Sequence, residues 1–251
     1  MGMETAARAN PDGYTIVQGS IGPVAIDVSI HSKLPYHPIK DYTPIARGVS
    51  ALNMLVVHPS LPVQSVKDLV AYARANPTKL NFGSSGVAHA DHMAGELFKT
   101  MTGVDITHIP YKGAGPMMQD LLAGQVDMAF DGMSTSAPQI RAGKLKALAV
   151  TTTERSFVAP NVPTMQEAGL AGYVVTTWYA LWAPRGAPKE ALERMHRETV
   201  KAMQSPELKQ VWESQGATAG GESPEEFAKL VKSEIGKWAK VVKDSGAKVD
   251  N

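Results

Sequence analysis

The residues best placed to do chemistry lie in one run, Leu80 to Glu96, LNFGSSGVAHADHMAGE. Leu80 and Phe82 have strand character. Gly83, Ser84, Ser85 and Gly86 allow a sharp turn and close backbone approach to a ligand. From His92 onward, Met93, Leu97, Phe98 and Met101 fall on one helical face, which Gly103 stops. A helix N-terminus carries unpaired N–H groups and a partial positive charge. With two serine hydroxyls beside it, the run makes a cradle for a carboxylate or a phosphate. The same residues also suit an ordinary strand-to-helix turn, and the run alone does not separate the two readings.

Metal chemistry is weighed on His89-Ala90-Asp91-His92. Two histidines three residues apart with a carboxylate between them could hold zinc, but no third ligand is visible. The plainer reading is preferred: one histidine is a cap or core residue and the other lines the loop. No metal and no cofactor are expected.

In open α/β sheets, ligands sit beyond the carboxyl ends of the strands. The residues there are Ser20, Ser84, Ser85, Tyr111, Lys112, Gly113, Asp131, Thr151, Thr152, Thr176 and Thr177. Hydroxyls and glycines dominate, which suits a neutral hydrogen-bonding cavity for a small anion. Asp131 reads as a helix cap or an acceptor rather than a general base, and Lys112 as a lysine in solvent. Trp178 is the tryptophan placed to stack on a ligand. Catalytic machinery is hard to find: GSSG is not the G-x-S-x-G elbow, and neither a Walker A run nor G-x-G-x-x-G after a strand occurs.

The elements that must position these residues follow from periodicity and breakers. Strands are expected at Tyr14–Gln18, Tyr42–Val49 and Ala51–Val57, with a short helix over Pro23–Ile30. A helix over Asp68–Ala75 has Ser65 as its cap. Then strand and helix alternate: Leu80–Gly83, His92–Thr102; Ile106–Pro110, Pro116–Ala123; Val126–Phe130, Ser136–Ala142; Leu145–Val150. A short helix at Thr164–Ala168 and a strand at Tyr173–Leu181 complete the unit. Such alternation predicts a parallel sheet covered on both faces, with right-handed crossovers. After the break APRGAP, three helices follow, the last opened by the capping box Ser223…Glu226.

Composition bounds the class. The chain has 251 residues, 43% hydrophobic and 20% charged, with 25 Lys plus Arg against 24 Asp plus Glu and a net charge of +1. That fits one or two globular domains and gives no basic footprint for nucleic acid. No apolar run approaches the roughly 20 residues of a membrane span. There are no cysteines, hence no disulfides or thiol nucleophiles. MGMETAARANPDG is not a signal peptide, so the sequence as it stands reads as cytoplasmic or as lacking its beginning. The N-terminal portion also has few strands and almost no helices beside the βα unit.

PDGYTIVQGS, KLPYHPIKDYTPIA, VVHPSLPVQSVKDLVAYARANPTKLNFGSSG, HMAGELFKTMTGVDITHIPYKGAGPMMQDLLAGQVDMAFD, IRAGKLKALAVTTTERS, NVPTMQEAGLAGY and SPEEFAKLVKSEIGKWAKVVKDSG occur in order. In these segments the chain closely resembles the Bug family, the extracytoplasmic receptors of tripartite tricarboxylate transporters. The resemblance covers essentially the whole chain, and YKG-x-x-P and LLAGQVD-x-x-FD are its specific parts. It implies an α/β, two-lobe, Venus-flytrap periplasmic binding protein of type II. Lobe 1 would comprise residues 1–58 and 183–251, and lobe 2 residues 59–182. It further implies a small carboxylate ligand (a di- or tricarboxylate, an acidic amino acid or an aromatic acid), integral-membrane permease subunits as partners, a monomer, and a periplasmic location.

Two departures stand out. The family's signal peptide and first strand–helix–strand unit are not found here, so lobe 1 is expected to be incomplete at its N-terminus. Where the family often has a small Gly- and Thr-rich run, this chain has Val87, Ala88, His89, Ala90 and Asp91; His92 matches the family histidine and His89 is this chain's own. The expected ligand-binding set is Ser20, Ile21, Ser84, Ser85, Gly86, His89, Tyr111, Asp131, Thr177 and Trp178. An α/β enzyme acting on an anion, and a ligand-sensing module without transport, are the alternatives.

Overall fold

In the computed structural model, which describes residues 2–248, the chain begins with α1 (Gly2–Ala7) and β1 (Val17–Ser20). A π-helical turn, Gly22–Ile26, runs into α2 (Asp27–Ile30), and β2 (Tyr42–Val57) follows. Next come α3 (Val66–Ala75), β3 (Asn81–Ser84), α4 (Ala90–Thr102), β4 (Thr107–Pro110) and α5 (Ala114–Leu122). Then β5 (Met128–Gly132), α6 (Met133–Arg141), β6 (Lys146–Val150), β7 (Thr176–Pro184), α7 (Lys189–Met203), α8 (Pro206–Ser214), β8 (Thr218–Ala219) and α9 (Pro224–Ser245) complete the order. Among the described residues, no helix is long and apolar enough to cross a membrane.

The contacts divide the chain into two units. One holds the residues up to Ser50 with Thr177–Val242; the other holds Ala51–Thr176 with Lys243–Ala247. The divisions fall inside β2 and at the start of β7, whereas the sequence reading puts its lobe boundaries after residues 58 and 182, near the ends of those strands. The two strands expected at 42–49 and 51–57 are one strand of 16 residues. Its first half is only partly buried and its second half almost wholly so. The halves therefore serve different partners. Val49 and Ser50 pair with β8, while Asn53 to Val57 pair with β5 and β6.

In the Ala51–Thr176 unit the strand order is β6-β2-β5-β3-β4. β3 is parallel to β4 and to β5, with Phe82 opposite His108 on one side and Met128 on the other. β2 runs antiparallel to both β5 and β6. The all-parallel sheet expected from the alternation is thus a mixed one. Alternation reports only the successive βα steps; β2 precedes them and enters in the opposite sense. Strand period two sends side chains to opposite faces. Met54, Val56 and Ala129 pack with Met117 and Leu121 of α5. On the other face, Phe130 meets Phe98 of α4 at 5.8 Å and Tyr173 at 6.0 Å. Ser65 caps α3 by accepting the Asp68 N–H, as the sequence suggests. The expected helix at Thr164–Ala168 is a single turn: Thr164 and Glu167 cap each other, and Gly169 ends it at φ +101°.

In the other unit β1 pairs antiparallel with β7, which lies next to β2. The strand expected at Tyr14–Gln18 starts later, at Val17, and leaves Tyr14 exposed. The core is aromatic. Trp178 and Trp182, four residues apart and so on one strand face, both meet Phe227 of α9, at 5.7 and 5.1 Å. The capping box at the start of α9 forms as expected, with Glu226 N–H donating to Ser223 Oγ and Ser223 N–H to Glu226 Oε2.

Candidate functional site

β3, β4 and β5 are parallel, so their carboxyl ends lie along one edge of the sheet. Each leads directly into a helix: β3 into α4, β4 into α5 and β5 into α6. Three helix N-termini, each with first-turn N–H groups that have no intrahelical partner, therefore serve the same edge.

The loop from β3 to α4 is held from within. Ser84, last in β3, is fully buried. Its Oγ lies 2.6 Å from His108 Nε2, donates to Gly86 O and accepts the Gly86 N–H. Of the two serines expected to offer hydroxyls to a ligand, Ser84 thus turns its own inward, because strand register aims it at the core. Ser85 is half-exposed; its N–H donates to Asp91 Oδ2 at 2.6 Å, and its Oγ is 2.9 Å from His89 Nδ1. Gly86 has φ +152°, which favours glycine. His89 is exposed and stands at the N-cap of α4 without a side-chain cap bond.

Beneath the loop His92 is buried, and its Nδ1 accepts the Ala88 N–H at 3.2 Å. Its ring stacks on His108 at 4.0 Å, and His108 stacks on Phe82 at 4.9 Å. Burial pushes both imidazoles below their ordinary range, His92 to about 3 and His108 to about 4. Glu96 Oε1 lies 3.9 Å from His92 Nε2, but Lys99 Nζ is nearer that oxygen at 3.1 Å and answers its charge. His92 is therefore a neutral core residue, and among the described residues no group of three His, Cys, Asp or Glu side chains could hold a metal.

Tyr111, after β4, donates its N–H to Ser84 O, which ties its loop to the first. Its hydroxyl donates to Asp120 Oδ2 at 2.8 Å, and burial together with that carboxylate raises its pKa to about 12. Asp131, next to last in β5, is buried and accepts from the Thr135 and Ser136 hydroxyls in the first turn of α6. Burial raises its pKa against those hydrogen bonds. It is an acceptor for these side-chain hydroxyls, whereas the N-cap of α6 is Gly132, which carries no side-chain cap bond. Thr151, after β6, spends its hydroxyl on Asn53 O and Val175 O.

In the other unit Ser20 ends β1 opposite Tyr179 of β7, so Ser20, Ile21, Thr177 and Trp178 gather at one end of that strand pair. Ile21 is buried at the head of the π-helical turn. Trp178 is 1% exposed and edge-on to Phe227, so its ring face belongs to the core rather than to a stacking surface. Sequence reasoning weighed Asp91 only as part of a zinc site, not as the acceptor that holds the loop, and missed His108. An acidic residue in a helix's first turn is the signal for Asp91; for His108 the signal is a polar residue on β4, a partly buried edge strand, opposite Phe82 of the parallel strand β3.

The model of the tripartite tricarboxylate transporter family receptor, TctC, matches residues 1–247. The protein BugT of Bordetella pertussis is 34% identical over 250 residues, 99% of this chain and 77% of that protein. Among solved structures, an R. palustris protein with adipate is 38% identical at a TM-score of 0.89, covering 97% of this chain and 82% of its own. MatC from Rhodopseudomonas palustris, with bound malate, is 32% identical at a TM-score of 0.87, covering 96% and 83%. The mixed α/β fold is that of these binding proteins, which are solute receptors and not enzymes. The Bug resemblance carried by the sequence segments thus holds across the chain, and the chain belongs to the tripartite tricarboxylate transporter receptor family.

Proposed function

We propose that this protein is an extracytoplasmic receptor that binds a small dicarboxylate and delivers it to the membrane permease of a tripartite transporter. The observation that carries the reading is the edge at which β3, β4 and β5 end, each entering a helix N-terminus, with Ser85 and His89 on the first of those loops. Backbone N–H groups and a hydroxyl there meet a carboxylate without a fixed positive charge. The adipate and malate in the two similar structures support the ligand class. Calorimetric titration with malate, adipate and a panel of tricarboxylates, acidic amino acids and aromatic acids tests it. Saturable binding of a dicarboxylate, returned unaltered, is expected. Failure of every carboxylate to bind would sink the reading. Delivery is tested separately, by uptake in cells with the permease genes and with or without this receptor.

A further inference from the structure

We propose that His108 is a positioning residue for the Ser84–His89 loop: through its ε-nitrogen it fixes the Ser84 hydroxyl, and with His92 it sets the backbone shape in which Ser85 and the first turn of α4 are presented. The argument begins with proton bookkeeping. The Ser84 hydroxyl has one hydrogen, which goes to Gly86 O at 3.2 Å, and it accepts the Gly86 N–H at 3.3 Å. The 2.6 Å contact to His108 Nε2 then takes its hydrogen from the imidazole. On that assignment of the hydroxyl hydrogen, His108 is the tautomer with hydrogen on Nε2, which the nitrogen NMR below tests directly. The same logic applies to His92: accepting the Ala88 N–H on Nδ1 puts its hydrogen on Nε2, towards Glu96.

The backbone above these rings needs holding. Ala88 has φ +65°, a left-handed conformation that residues with a Cβ rarely adopt. Such conformations persist only where the surroundings over-determine them. Here Ala88 is buried and its N–H is gripped by His92, whose ring lies on His108, whose ring lies on Phe82. The column ties β3, β4 and α4 to the loop. Gly86 at φ +152° is gripped on both its N–H and its C=O by Ser84. The loop's form is thus set by Ser84 and the two imidazoles beneath it together with Asp91, which holds the Ser85 N–H, and its outer face is left to the Ser85 hydroxyl and His89.

The effect on ligand rests on the carboxylate-binding reading above; the effect on the loop does not, so the two are measured separately. His108→Phe keeps the ring stack and removes the donor. His108→Gln removes the ring and keeps a donor at the ε-nitrogen. Ser84→Ala removes the acceptor. In ligand-free protein, amide hydrogen exchange at Gly86 and Ala88 should speed up about tenfold in His108→Phe and in Ser84→Ala. The double variant should show no gain over Ser84→Ala alone, since Ser84→Ala already removes the contact that His108→Phe removes, along with those to Gly86. His108→Gln should stay near wild type, and nitrogen NMR of the wild type should place the His108 hydrogen on Nε2. Malate or adipate affinity should fall in the same order. Wild-type exchange in His108→Phe, equal acceleration in His108→Gln and His108→Phe, or an Nδ1-protonated His108 would each overturn the proposal. If His108→Phe does not fold, Ser84→Ala against His108→Gln decides it by the same exchange readout. If neither malate nor adipate binds the wild type, the functional reading fails while the exchange and NMR results still decide this one.

Discussion

Asp91 holds Ser85 across the loop that precedes its own helix: Asp91 Oδ2 accepts the Ser85 N–H at 2.6 Å. Its other oxygen accepts the His92 N–H at 2.9 Å, within the first turn of α4. One carboxylate therefore closes the loop and answers the positive end of the helix. It is buried, and removing it leaves the Ser85 N–H without this acceptor. Asp91→Ala should cost about 1.5–3 kcal/mol in urea unfolding, the worth of a hydrogen bond to a charged group. Asp91→Asn, which keeps an acceptor, should cost less. A neutral Asp91→Ala would show that the loop is held by other contacts.

The buried His92 and the partly buried His108 make an acid-sensitive element. Facing them are His89 at the N-cap of α4, Glu96 and Lys99 on α4, and Ser84 on β3. Burial is the first cause of both depressions; after it, His92 is lowered by His108, Lys99 and His89, and His108 by Lys99. Folded values of about 3 and about 4 against 6.5 for the ordinary imidazole mean that the unfolded chain takes up protons first. Their contribution to stability is whole above pH 6.5 and is lost as pH falls towards the folded values. Each group contributes a slope of about 1.4 kcal/mol per pH unit within that window. Urea unfolding at several pH values should show the slope, and His92→Phe should reduce it. A flat profile between pH 6.5 and pH 4.5 would mean that the rings are not held neutral.

Much of this was legible from residue order. The run Phe82 to Gly103 gives a strand, a loop and a helix because its glycines, serines and apolar spacing obey local rules, and those rules operate here. The antiparallel entry of β2 was not legible, because pairing between distant strands leaves no local pattern. Nor was the difference between Ser84 and Ser85. Adjacent serines look alike in sequence; strand register makes one a buried frame member and leaves the other at the surface. Nor was the packing of Trp178: its strand end was visible, but Phe227, against which its ring packs, lies far along the chain.

Arg47 and Glu222 join β2 to the segment before α9. Arg47 Nη2 donates to Glu222 Oε2 at 3.0 Å, Nε sits 2.6 Å from Oε1 as a charge contact, and Nη1 donates to Ser50 Oγ. Burial acts to raise the Glu222 pKa, but the Arg47 hydrogen bond and the other contacts outweigh it and hold the carboxyl below its ordinary 4.5. A depressed carboxylate stabilises the fold above that value, and the contribution is lost as pH falls through the folded pKa. Arg47→Met should therefore destabilise by about 1–3 kcal/mol at neutral pH, mainly by leaving Glu222 without its partner. The deficit should shrink below pH 4.5, and Glu222→Gln in the same chain should recover part of it. A deficit independent of pH would assign the loss to packing of the arginine stem instead.

Gly95 lies in the middle of α4, where glycine ordinarily costs about 1 kcal/mol relative to alanine. The reason for it is Phe82. A Cβ at position 95 would come 2.1 Å from Phe82 Cε2, and Phe82 is fully buried with His108 against its face. Neither ring can move aside without disturbing the column under the loop. Gly95→Ala should therefore lower stability despite its gain in helix propensity, with overpacking costing about 1–3 kcal/mol. Phe82→Leu, made in the Gly95→Ala chain, should recover part of the loss by freeing the space that the ring edge occupies. The loop above should also exchange its Ala88 amide faster in Gly95→Ala, since the strain passes from Phe82 through His108 to His92. Melting curves and exchange on the three chains check this. A Gly95→Ala protein that melts at or above the wild-type temperature would mean that α4 can lift from the sheet without cost, and that the ring column does not fix the loop.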